Sequence, residues 1–280
     1  MIDNEVKKID NSFCFFTIGD ITTKENKLVD LLLSLFNYNY YSIDNIVDNY
    51  NALEPLSIIN RVIGYGIKNV VIDIKTGFRI NDEEAKKLAN EFLELSRKYE
   101  VNTTCFITSL NLSLGTSFGR NLETIEIANL LEGREYSPLL KLVIKITSFM
   151  IDKNLSLEEN QALIIEYIKR QHETLAFSKK LNIDNLDLKS RVFSIKSSKT
   201  GFVKNIDVFE IEDLLNKLGS DDQQTGIVLS KQIGDYVLEN EELAKVYLNE
   251  KDILASEVLD CFQIELEMGK VDPLVKEIVR

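Results

Sequence analysis

Residues Leu112–Gly133 read L-S-L-G-T-S-F-G-R-N-L-E-T-I-E-I-A-N-L-L-E-G, and the rest of the chain is organised around them. Gly115 and Gly119 loosen a loop that follows an apolar run. The spacing predicts a helix that opens at Arg120 or Asn121 and stops at Gly133, because a glycine just past the last periodic residue lets the chain leave the helix. Loop carbonyls and the carboxylates of Glu123 and Glu126 are thereby directed towards one place. An ordinary strand–loop–helix junction carries the same pattern, since glycines in loops are common punctuation.

Upstream, the periodicity predicts a βαβ unit. Asn69–Ile74 is a strand. Asn81–Tyr99 is an amphipathic helix with Ala85, Leu88, Ala89, Phe92, Leu95 and Tyr99 at helical spacing. Asn81 with Glu84 forms a capping box at its start. Thr103–Thr108 is the next strand, parallel to the first through a right-handed crossover. The loop after Thr108 then lies at the carboxyl end of a strand, where open α/β sheets place ligands. Ser12–Ile18 is a short apolar run that reads as a buried strand. Lys27–Phe36 is a helix with Leu28, Leu31, Leu32 and Leu35 on one face. Asn37–Asn51 reads as a loop, or as a short helix around Ile43–Val47. Pro55–Ile63 is a further helix, with proline suited to its first turn. Ser57 and Arg61 lie four apart, on one face of it.

Downstream, Ser137-Pro138 is an N-cap and first turn. Ser156 with Glu159 is a capping box for a helix running towards Arg170 or Leu181. His172, the only histidine, reads as an exposed helix residue. Asn182–Ser198 reads as a link into a different kind of domain. There, glycines punctuate β-like runs at Phe202–Val203, Ile206–Val208, Gly226–Leu229 and Leu243–Tyr247, before a more helical Glu257–Met268. Gly234-Asp235-Tyr236-Val237 also fits biotinyl or lipoyl carrier folds, but those present a lysine in M-K-M or D-K-A, and neither run occurs here.

Composition excludes several classes. With 280 residues and 44% apolar content, the chain can bury one large or two smaller cores. A formal net charge of -12 disfavours nucleic acid and anionic membrane as partners, both of which need a basic surface. Cys14, Cys105 and Cys261 are scattered and form no CxxC pair, so neither a disulfide framework nor a zinc site is expected and a reducing cytoplasm fits. The start of the chain lacks the shape of a signal peptide, and no apolar run is long enough to span a bilayer.

The signature stretch resembles the P-L-G-x-x-x-G-N-x-x-E-V-x-E-A-I-x-x-L-x-G motif of thymidine and pyrimidine-nucleoside phosphorylases. Arg120 stands as one extra residue between glycine and asparagine, or the glycine is displaced by one, and the helix frame fits from Leu122 onward. Val71-Ile72-Asp73-Ile74-Lys75-Thr76-Gly77 resembles the family's V-x-D-V-K-T-G, and Gly19-Asp20-Ile21-Thr22 its T-G-D-L-T. Thr200–Val203 and Gly226–Val237 resemble its C-terminal domain. The implied fold is α/β: a partial parallel or mixed sheet flanked by helices over residues 1–190, then an α+β, barrel-sandwich-like domain over 191–280.

The resemblance implies a reaction in which phosphate cleaves the glycosidic bond of thymidine or uridine, giving a free base and a pentose 1-phosphate. It implies that Ser57 and Arg61 grip the pyrimidine, Arg61 standing where the family has lysine; a plain helix serine and a solvated arginine is the alternative reading. It implies that the carbonyls of Leu114 and Ser117 and the carboxylate of Glu126 hold a monovalent cation once a partner completes the site, with no other cofactor. The alternative makes Glu126 a charge on the helix surface. No K-H-S-T-G-G or G-L-G-H-T-G-G phosphate run occurs in the chain, Phe78-Arg79-Ile80 stands where the family has G-A-F-M, and the arginine of A-L-R-D falls at Leu32 or Ser42. No residue is therefore assigned a catalytic role. The expected protein is inactive alone, or one part of a split phosphorylase, or a noncatalytic pyrimidine-binding or regulatory module. Its expected partners are a pyrimidine base or nucleoside and a protein partner or second copy of the chain.

Overall fold

The computed structural model describes residues 13–18, 24–36, 40–42, 55–77, 80–110, 115–151, 154–174, 176–186, 188, 191–219, 223–248 and 255–280. The first sheet is built from β1 (Phe13–Ile18), β2 (Tyr40–Ser42), β3 (Asn69–Thr76) and β4 (Asn102–Ser109), all parallel, in the order β4-β3-β1-β2. Every residue of β1 and β3 is buried, as expected of parallel strands covered on both faces. The two-residue side-chain period sorts the sheet. Phe13, Phe15, Val71 and Phe106 face a core shared with α1 (Lys24–Leu35), α4 (Arg120–Leu131), α5 (Pro138–Ser148) and α6 (Leu157–Thr174). Cys14, Phe16, Ile72, Ile74 and Cys105 face the opposite core, shared with α2 (Pro55–Gly64) and α3 (Asp82–Lys98).

Local chemistry sets these elements. The Asn81 side chain accepts from the Glu83 and Glu84 amides, and the Glu84 carboxylate accepts from the Asn81 amide at 2.9 Å, so the expected capping box opens α3. Ser137 caps α5 with Pro138 in its first turn, and Ser156 and Glu159 exchange the two bonds of a capping box before α6. The helix of the signature runs Arg120–Leu131, and Gly133 follows at φ 65°. A short α7 (Ala176–Lys180) comes after α6 in the chain. His172 lies within α6, but its side chain falls outside the described residues, as do Gly19–Thr22 and most of Asn37–Asn51. Within that last stretch Tyr40–Ser42 is a strand rather than loop, and the expected short helix around Ile43–Val47 lies outside the described residues.

The second half packs a separate core between two antiparallel sheets, of order β5-β8-β10-β6 and β11-β7-β9. Here several expectations are corrected. The supposed link contains β6 (Arg191–Lys196), an edge strand in which only Ile195 is buried, so it shows no alternation. β7 (Gly201–Ile206) ends at Ile206, and Val208 opens a helix, α8 (Val208–Gly219); the Asp207 carboxylate accepts from the Glu210 amide at 3.0 Å and stops the strand. β8 (Gly226–Leu229), β9 (Tyr236–Val237) and β10 (Glu242–Leu248) follow. Helix covers only the start of Glu257–Met268, in α9 (Ala255–Asp260), because Phe262–Glu265 forms β11 against β7.

Two strands cross the expected division at residue 190. β5 (Ser117–Phe118), inside the signature loop, pairs with β8, and β12 (Val275–Val279) pairs antiparallel with β4, making the first sheet mixed. Among the described residues no helix is long and apolar enough to cross a membrane.

Candidate functional site

A buried cluster of charge lies where α1, the carboxyl end of β3 and the signature loop meet. Asp73 and Lys75 sit two apart on β3, which turns both to the α1 side of the sheet with Val71. Lys75 forms ion pairs with both Asp73 and Glu25, all of them 0 or 1% exposed. The Thr108 hydroxyl on β4 donates to Asp73 Oδ1 at 2.7 Å, and the Thr76 hydroxyl donates to the Thr108 carbonyl at 3.0 Å. An ion in such surroundings is tolerable only when paired and hydrogen-bonded, and each of these is.

Glu126 projects from α4 back into its own entry loop. Its Oε1 accepts from the Thr116 amide at 2.6 Å and the Thr116 hydroxyl at 3.0 Å. Its Oε2 accepts from the Ser117 amide at 3.2 Å and from Lys24 Nζ at 3.2 Å. Lys24 Nζ also donates to the Ser117 carbonyl at 2.5 Å and lies 4.9 Å from the centre of the Phe118 ring. Glu126 is buried, which removes the reading of it as a helix surface charge. Glu123, one turn earlier, accepts from the Gly119 amide at 3.1 Å. Burial raises its carboxyl above the ordinary 4.5, with Lys24 pulling the other way.

The glycines of the loop have steric reasons. A β-carbon on Gly115 would stand 2.6 Å from Glu126 Oε1, and φ there is 80°. One on Gly119, at φ 107°, would stand 2.5 Å from the Thr225 carbonyl, where the loop passes against β8. The loop is thus pressed between the carboxylate it surrounds and the second sheet.

The structure brings Ser117 and Glu126 together; Leu114 lies outside the described residues. Ser57 and Arg61 are both exposed on α2, across the sheet from the α1 side. The first turn of that helix, Pro55 and Leu56, borders a depression formed with Glu91, Leu95 and Lys98 of α3. Sequence reading missed Lys24, Glu25 and Lys75. Lys75 had a signal: a charged pair, Asp73 and Lys75, inside an otherwise apolar strand. Lys24 had none, because its partners lie 93 and 102 residues away. Among the described residues, no group of three or more His, Cys, Asp or Glu converges on a metal position.

No protein-family model matches the chain. Pyrimidine-nucleoside phosphorylase of Staphylococcus aureus strain USA300 is 29% identical to it over 262 residues, which cover 84% of this chain and 58% of that protein. The same enzyme from the bovine strain RF122 / ET3-1 is 29% identical over 240 residues, covering 76% and 55%. Over most of its length the chain is similar to pyrimidine-nucleoside phosphorylases. It spans little more than half the length of the curated relatives it matches. The resemblance carried by the signature helix and the Asp73 strand is borne out, and so is the α/β fold with its mixed sheet and antiparallel second half.

Proposed function

We propose that this chain is a pyrimidine-nucleoside phosphorylase-like protein that does not carry out phosphorolysis by itself. The observation that supports this is the state of the signature loop. Holding inorganic phosphate takes free main-chain amides together with an uncommitted cation. Here the amides of Thr116 and Ser117 already donate to an internal anion, Glu126. The nearby ammonium groups, Lys24 and Lys75, are each paired with buried carboxylates. The amides of this loop and the ammonium groups beside it are thus satisfied from within.

The exposed Ser57/Arg61 face presents a hydroxyl and a guanidinium four residues apart, groups able to meet the polar edge of a pyrimidine, with arginine where the resemblance implies lysine. The purified chain, given uridine or thymidine with phosphate, should release no free base above the uncatalysed background. Turnover by the chain alone would overturn the proposal. Turnover that arises only on mixing with a polypeptide carrying K-H-S-T-G-G would instead identify the chain as one part of a split phosphorylase.

A further inference from the structure

The phosphorylase resemblance implies a monovalent cation held by loop carbonyls and the glutamate at position 126. The residues present do not fit it. A carboxylate offers about four acceptor directions. On Glu126 four donors use them: the Thr116 amide and hydroxyl on one oxygen, the Ser117 amide and Lys24 Nζ on the other. The Ser117 carbonyl, the second of the implied ligands within the described residues, accepts from the same Lys24 Nζ at 2.5 Å. The ammonium therefore contacts both of the implied cation ligands that lie within the described residues.

We infer that Lys24 is a covalently tethered replacement for the cation. An ammonium carries the same single charge as an alkali ion and, like it, is attracted to carbonyl and carboxylate oxygens. It also faces the Phe118 ring at 4.9 Å, a contact suited to a cation. The placement follows from α1. Lys24 is in its first turn, 1% exposed, and its neighbour Glu25 pairs with Lys75 at the end of β3. One helical turn thus anchors the signature loop to the sheet through two buried ion pairs of opposite polarity, Lys24 with Glu126 and Glu25 with Lys75. The loop that a soluble ion would otherwise organise is organised by the chain itself. This inference concerns the loop alone and stands whether or not the chain turns over a nucleoside.

The test is thermal unfolding in potassium chloride and in choline chloride at the same ionic strength. The unmodified chain should melt at the same temperature in both. The Lys24→Gln variant should melt lower in choline and recover by about 4 °C or more in saturating potassium. A saturable potassium stabilisation of the unmodified chain overturns the inference, and so does a folded variant that gains no potassium response. If the variant does not fold, rubidium-soaked crystals of the unmodified chain decide. No anomalous peak beside Glu126 is expected, and a peak there overturns the inference.

Discussion

Two sets of ion pairs join sequence-distant parts of this molecule, and they differ in what surrounds them. At the inner junction, Lys24, Glu25, Asp73, Lys75 and Glu126 are at most 3% exposed. On the outer edge of the same sheet, Lys276 of β12 bridges Asp82 and Asp272 at 2.8 Å each, and Lys86 meets Glu277 at 2.9 Å, with most of these side chains in contact with water. The chemistry of the partners is the same. At the outer edge a broken pair is rehydrated at once, so each contributes little. At the junction no water stands ready to replace a lost partner, so the charges are mutually obligatory. The inner set specifies which loop packs on which strand; the outer set trims an edge.

That contrast breaks most visibly at Lys75. Lys75→Met takes the shared ammonium away from two buried carboxylates, Asp73 and Glu25, and should cost about 3–5 kcal/mol in urea unfolding. A loss below about 1 kcal/mol would mean that the junction behaves like the outer edge. A smaller effect lies at Glu123, where the two environments meet. Its folded-state carboxyl is raised by burial, so the native state binds its proton more tightly than the unfolded chain does. Stability should therefore fall as pH rises from 4.5 through the raised value. Glu123→Gln should remove this decline and leave the protein more stable than its parent at neutral pH; superimposable pH profiles would sink the assignment. The smallest effect belongs to Lys276. Its hydrogen bond holds Asp82 below the ordinary 3.8, so this contribution is present above 3.8 and lost as pH falls through the lowered value. Lys276→Ala should cost less than about 1 kcal/mol, shrink further in added salt, and flatten that acid limb. A cost that salt does not change would place Lys276 with the inner set.

Legibility followed the range over which each signal acts. The β3–α3–β4 unit is readable because its determinants are local: the apolar run Val70–Ile72 resumed at Ile74, the Asn81/Glu84 box, and the helical stripe of Ala85, Ala89 and Phe92. The exit of α4 at Gly133 was readable for the same reason. α8 was missed although Val208, Ile211 and Leu214 carry a helical period, because Ile206-Asp207-Val208 also alternates and was assigned to the preceding strand. β6 was missed because an edge strand with exposed Val192 and Phe193 buries too little to pattern its sequence. At the candidate site, motif reading reached Ser117 and Glu126 but not the group that meets them. Polar residues at the start of α1 look like a solvated first turn until the partner segment, far along the chain, is folded over them.

The return of Val275–Val279 to β4 sets an order of events. β4 offers its outer main-chain groups to whatever extended segment comes near, and the segment that belongs there is made long after β4 itself. On the ribosome, the first sheet must wait with one flank unzipped while the whole second half is produced. Premature termination anywhere between β4 and Val275 would therefore leave a strand edge open to neighbouring chains, and such fragments should accumulate as aggregates rather than as smaller folded domains.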